Sequence, residues 1–163
     1  MTYKTTRLIV SLIAWMATLI VYLFCAVGSS APADADIAGW AKLMLKFIVF
    51  GIISQVIIQV LFHVAYAISI GMENGFKDGD ELGNIIERTI ESSSKEDEMD
   101  KLIDMKASLF GLAVIGIGIL LALVSVAYFD YSAAKMMNVI FISTLMSVSV
   151  ITCVSIYYYH RGV

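Results

Sequence analysis

The hydrophobic positions of this chain gather into four long runs without a formal charge, at residues 8–28, 47–71, 107–129 and 136–159. A helix of about 20 apolar residues is long enough to cross a hydrocarbon core of about 30 Å. The pattern therefore predicts an all-α integral membrane protein, in which four transmembrane helices form an antiparallel bundle. We expect residues 1–163 to make up a single membrane domain.

The polar segment at residues 72–106 separates the second run from the third. Four aliphatic side chains recur there with helical spacing, which predicts an amphipathic cytoplasmic helix: Leu82, Ile85, Ile86 and Ile90. We expect these side chains to cover an apolar surface and to form a partner-binding face. Ser94 and Asp97 resemble a capping box, so a new helix is predicted to begin near Lys95 and to continue unbroken into the third run.

The second run contains a polar stripe, which we define as Gln55, Gln59, His63 and Tyr66. The first three follow one another at i+4 intervals, and Tyr66 lies one turn beyond His63. Amide and imidazole groups are disfavoured in lipid, so we expect the stripe to face protein or water and to form an intramembrane polar site. Three interpretations stay open: hydrogen bonds that hold helices together, a lining for a small polar solute or ion, or a protonation-sensitive contact through His63.

Further patterns predict how the helices pack. In the first run, spacings of four and three residues alternate along a seam suited to a helix pair: Ser11, Trp15, Thr18, Tyr22 and Cys25. The third run has two pairs of small residues that permit close helix approach: Ala107 with Gly111, and Gly118 with Ala122. The very short connection at residues 130–135 predicts that the third and fourth helices form an antiparallel hairpin.

Composition and charge agree with a membrane location and predict an orientation. The chain is 60% hydrophobic and 15% charged, with a mean hydropathy of +0.86. A net charge of -3 and the lack of a basic cluster argue against nucleic acid as a partner. Placing both termini in the cytoplasm puts eight basic residues inside, Lys4, Arg7, Lys77, Arg88, Lys95, Lys101, Lys106 and Arg161, against three outside, Lys42, Lys46 and Lys135. Basic residues favour the cytoplasmic side, so we expect this orientation.

The sequence contains few candidate catalytic, haem-binding or metal-binding residues. His63 and His160 are of the residue type that binds haem in pairs, but His63 lies deep in its run and His160 at a membrane surface. Glu96, Asp100 and Asp104 share a helical face, and we interpret them as a solvated acidic face rather than a metal site. No nucleophile, metalloprotease, phosphate-binding or dinucleotide motif is present. We therefore expect no enzyme activity, no cofactor and no bound metal.

The run EDEMDKLIDMKASLFG, residues 96–111, carries a resemblance. It is similar to the acidic D-E-x-D-x-L-I-x-x-K-A run that precedes the third span in a group of uncharacterised small four-span membrane proteins of prokaryotes. The chain departs from that group at Met99, where an arginine is more usual. The resemblance implies four spans with a cytoplasmic helical extension in a prokaryotic cytoplasmic membrane. It implies no activity and no catalytic residues.

Two functions fit these features. The first is a non-enzymatic interaction or regulatory membrane protein. Its expected partners are the lipid bilayer, a second copy of the chain or a cytoplasmic protein. The alternative is a small oligomeric transporter or channel that uses the polar stripe. A water-filled cavity reaching Gln59 would favour transport, whereas a dry, hydrogen-bonded stripe would favour interaction.

Overall fold

The computed structural model describes residues 3–28, 31–73 and 98–161, which form four helices and no strand. These are α1 (Tyr3–Val27), α2 (Ile37–Glu73), α3 (Glu98–Phe129) and α4 (Ala133–Arg161). The all-α prediction is confirmed, and all four helices are long and apolar enough to cross a membrane. The predicted face of Leu82, Ile85, Ile86 and Ile90 lies outside the described residues, as does the start predicted near Lys95.

Helix α2 begins earlier than the hydrophobic run predicts. Asp36 caps its first turn, because the Asp36 Oδ1 atom accepts a hydrogen bond from the Gly39 N–H at 2.8 Å. The indole Nε1 of Trp40 donates to the Ala33 carbonyl at 3.2 Å and ties the preceding loop to the helix. The helix therefore extends ten residues ahead of position 47, and both Lys42 and Lys46 lie inside it.

Helices α3 and α4 make the most extensive contact in the described structure. Only residues 130–132 separate them, and Asp130 turns the chain with a φ of 49°. Along the pair, a later residue in α3 meets an earlier one in α4: Gly111 contacts Ser147, whereas Gly118 contacts Ser143. The short connection thus joins two helices that pack on each other over their length.

Small side chains set the spacing between α3 and α4. Ala107, Gly111, Gly118 and Ala122 are all buried, so the two predicted small-residue pairs are confirmed as packing positions. A methyl group added at Gly118 would overlap the side chain of Ser143. At Gly111 the close approach also lets the Ser147 hydroxyl donate to the Gly111 carbonyl at 2.9 Å.

Tyr22 is the centre of the contacts among α1, α2 and α4. Its side chain is fully buried, and its hydroxyl donates to the Asn138 Oδ1 atom at 2.5 Å. Its ring meets the edge of Phe47 at 5.2 Å between centroids and lies 4.7 Å from Phe141. The buried cluster around it, which we call the central cluster, consists of Leu19, Tyr22, Met44 and Leu145. The predicted seam of α1 is confirmed, since Thr18 and Tyr22 are buried and its other members are half-buried.

Helices α1 and α2 contact each other in a register that shifts the apolar run of α2 along the axis, relative to the apolar run of α1. Gly51 packs against the Trp15 ring, and Gln55 bonds to Ser11, so four residues forward in α2 correspond to four residues back in α1. Continuing this register puts Gln59 level with Arg7, near the start of α1. The apolar part of α2 beyond Gln59 therefore extends past the N-terminal end of α1.

Candidate functional site

The polar stripe of α2 makes one well-defined contact, at Gln55. The Ser11 hydroxyl donates to the Gln55 Oε1 atom at 3.1 Å, and the Gln55 Nε2 atom donates to the Ser11 carbonyl at 3.5 Å. Both ends of the half-buried amide are therefore used by one residue of α1. This arrangement joins α1 and α2 through the Gln55 side chain.

The remaining stripe residues differ in their placement. His63 is half-buried and has a polar or ring contact of its own, whereas the Gln59 side chain is exposed. The side chain of Tyr66 lies outside the described part of the structure. The expectation that the stripe faces the interior is met by Gln55 but not by Gln59. Residues spaced by four drift about 40° around a helix at each step, so the stripe turns away from α1 as it proceeds.

A cleft of about 530 Å³ lies between α2 and α4, beside α1. Its walls include Trp15, Phe47, Ile52 and Phe141, and its lining contains none of Gln55, Gln59 or His63. The one hydroxyl in the lining, that of Thr144, already donates to the Ile140 carbonyl at 2.9 Å. The cleft is thus an apolar groove and does not connect to the polar stripe.

A second polar site, which the sequence interpretation missed, joins three helices at Asp100. The Lys4 ammonium of α1 forms an ion pair with the Asp100 Oδ2 atom, and the Tyr159 hydroxyl of α4 donates to the Oδ1 atom at 2.6 Å. Only 7% of Asp100 is exposed. We call this the Asp100 site. The interpretation of Asp100 as part of a solvated acidic face was wrong, because both carboxylate oxygens face partners from other helices.

The spacing along α3 contains a signal that could have located the Asp100 site. Asp100, Ile103, Ala107 and Gly111 follow one another at intervals of three and four, and all are buried. Asp100 therefore begins the same buried face that the small residues continue. Among the described residues, no group of three or more histidine, cysteine or acidic side chains is placed to hold a metal ion.

Aromatic and basic side chains surround the same end of the bundle. The Lys106 ammonium lies 5.4 Å from the Tyr158 ring centroid, and the Arg161 guanidinium lies 5.2 Å from that of Tyr157. Such cation–π contacts hold a charge beside an apolar surface without a carboxylate partner. This end thus combines a buried ion pair with positive groups packed on aromatic rings.

Comparison with known proteins adds no relative: no family model, curated protein or solved structure matches this chain. The resemblance carried by residues 96–111 stays a prediction. The interpretation of function therefore depends on the geometry described above.

Proposed function

We propose that the chain is a four-span membrane protein that acts without catalysis, as an interaction or regulatory partner of other membrane components. The observation that carries this proposal is the position of α2. Only 6% of the residues in the most apolar stretch of α2 are buried, compared with 28% in that of α4. Beyond Gly51, large apolar side chains are exposed along it, including Ile52, Val56 and Val60. A helix attached to the bundle along so little of its length has surface left for a partner.

An antiparallel arrangement within the membrane is part of this proposal. It is supported by the opposed residue pairs of α3 and α4 and by the opposed register of α1 and α2. We place both termini and the segment 72–106 in the cytoplasm, because this side then holds eight of the eleven basic residues.

The described contacts favour interaction over the alternative of a transporter or channel. A pathway through the polar stripe would need water at Gln59 and polar walls around it. Instead, Gln55 forms two hydrogen bonds with Ser11 of α1, and the neighbouring cleft is apolar. A glutamine that bonds to a neighbouring helix in this way is typical of hydrogen bonding between membrane helices.

Photocrosslinking in intact membranes tests the proposal. A photoreactive amino acid at Val60 of α2 should give a discrete protein adduct, whereas the same amino acid at Leu120 of α3 should give mainly lipid adducts. The two positions are matched, because their side chains are 56% and 63% exposed and both lie on apolar helices. Equal adduct patterns at the two sites, or lipid adducts alone at Val60, would contradict it. As a second measurement, ion conductance in proteoliposomes should not exceed that of empty vesicles.

A further inference from the structure

Gln59 of α2 is a polar side chain without a partner in the part of the chain that the structure describes. It is the central residue of the uncharged run 47–71. Its side chain is exposed, and no described residue shares a hydrogen bond with it. Serine and threonine can bond the carbonyl one turn back along their own helix, but glutamine is not among the side chains that do so. The amide therefore has to find its hydrogen bonds outside the described bundle.

A second helix beside Gln59 is favourable at either depth that α2 can take in a membrane. In hydrocarbon, an amide without a hydrogen bond is strongly disfavoured. At the membrane surface, where the contact with α1 puts Gln59 level with Arg7, the apolar side chains that follow it, such as Val60, would face water. A partner helix reduces the first penalty through hydrogen bonds and the second through burial.

Gln59 belongs to a row of exposed side chains on α2 that repeats every 3.5 residues on average. Spacings of four and three alternate along this row, which we call the Gln59 seam: Leu45, Val49, Ile52, Val56 and Gln59. Each aliphatic member is between 49% and 60% exposed. This period is typical of a left-handed pair of helices, in which each row residue inserts between residues of the partner.

The Gln59 seam lies on a side of α2 that the bundle leaves open. At about 100° per residue, its members lie roughly 80–160° around the helix axis from Gly51, which packs against Trp15 of α1. Ile52 also forms an edge of the apolar cleft between α2 and α4, and it is still 58% exposed. Among the described helices, α2 contacts only α1 and α4, and neither covers the seam.

We propose that the Gln59 seam pairs with the same seam of a second copy, in a parallel dimer in which the two Gln59 amides bond to each other. Two copies inserted in one orientation are related by a twofold axis along the membrane normal, so each seam residue meets its counterpart. An amide carries both donors and an acceptor and is therefore complementary to itself. The seam ends at Leu45, because Lys42 comes next in the row and two ammonium groups would repel each other there. This inference names the partner of α2 and rests on the proposed interaction function.

Cysteine crosslinking tests which face of α2 pairs. In bilayers, with Cys25 and Cys153 replaced by alanine, Val56→Cys should form disulfide-linked dimers at least about fivefold faster than Ile57→Cys, because bridging needs Cα atoms within about 7 Å. The two positions are matched, since they are neighbours and are 56% and 51% exposed, but only Val56 belongs to the seam. Equal rates, or faster dimer formation at Ile57, would overturn the proposal.

The role of the amide is tested by energy transfer between donor-labelled and acceptor-labelled copies in phosphatidylcholine liposomes. Gln59→Leu should weaken association at least about fivefold, which corresponds to one hydrogen bond between membrane helices. Gln59→Asn keeps a donor and an acceptor and should weaken association less. Gln55→Leu is the control, because it removes an amide that bonds within the chain and should stay within about twofold of the native chain. Association of Gln59→Leu equal to that of the native chain would overturn the proposal.

The outcome for the proposed function is read separately, from the photoreactive amino acid at Val60. An adduct of two copies, at twice the chain mass of 17.9 kDa, that is reduced in the Gln59→Leu variant supports both proposals. An adduct with a different protein that persists in this variant leaves the interaction function standing and overturns the pairing of the Gln59 seam. Lipid adducts alone in both chains would mean that the interaction function itself fails.

Discussion

The two members of the Lys4–Asp100 ion pair leave different groups behind when each is removed. Lys4→Met leaves a buried carboxylate with only the Tyr159 hydroxyl, whereas Asp100→Asn leaves a lysine whose side chain is 30% exposed and can turn to solvent. We therefore expect Lys4→Met to lower the free energy of unfolding by about 2–4 kcal/mol and Asp100→Asn by about 1–2 kcal/mol. Denaturant titration in detergent micelles measures both.

Two comparisons accompany these variants. The double variant should lose less than the sum of the single losses, because the two side chains form one interaction. Lys135→Met removes an ion pair whose side chains are 50% and 60% exposed, so its effect should stay within about 0.5 kcal/mol. A Lys4→Met variant as stable as the native chain would show that the Asp100 site contributes little to the fold.

The polar stripe provides a matched pair at the same scale. Gln55→Leu removes both hydrogen bonds to Ser11, so the isolated protein should lose about 0.5–1.5 kcal/mol of stability. Gln59→Leu replaces an exposed side chain and should change stability by less than about 0.5 kcal/mol. The same denaturant titration distinguishes them. The reverse order would mean that Gln59, and not Gln55, is the structural contact.

The sequence predicted the packing residues better than the polar ones. Tyr22 and the small residues of α3 lie where their spacing placed them, since apolar and small side chains on one face have to be buried together. Asp100 was assigned to the wrong environment, because its charge suggested solvent while its spacing indicated burial. Its partners Lys4 and Tyr159 are 96 and 59 residues away in the chain, so no local pattern connects them.

At the scale of helices, the contact between α3 and α4 depends on two glycines, Gly111 and Gly118, where α4 lies too close for a side chain. Gly118→Ala puts a methyl group into the Ser143 side chain, with the α4 backbone close behind it, so the helices have to separate. We expect a loss of about 1–3 kcal/mol of unfolding free energy. Gly116→Ala is the control, because a methyl group there meets nothing within 4 Å. If Gly118→Ala is no worse than Gly116→Ala, the close contact is not needed.

The extent of each helix was predictable only in part. The start of α2 depends on Asp36 and on the Trp40 indole, which extend the helix into a segment that reads as a polar loop. Its register against α1 depends on Gly51 meeting Trp15, a contact between two helices that hydrophobic periodicity does not encode. The sequence therefore predicts that α2 exists, whereas its register against α1 follows from packing.

For the whole molecule, orientation is open to a direct test. A reporter fused after Arg161 should be active only in the cytoplasm, since eight of eleven basic residues then lie on that side. The matched fusion within the loop between α1 and α2, after Asp34, should be active only outside the cytoplasm. Activity of the first fusion outside the cytoplasm would mean that every span has the opposite orientation.

The displaced register of α2 has a consequence for biosynthesis. The insertion machinery selects segments by hydrophobicity and would centre this helix near residue 59. The contacts of Gly51 with Trp15 and of Gln55 with Ser11 put residue 59 level with Arg7, near the start of α1. We therefore predict that α2 takes its register against α1 only after it has been inserted. In a pulse-chase experiment, the pair Ser11→Cys and Gln55→Cys should crosslink only some time after synthesis, whereas crosslinking from the first time point would contradict a late step.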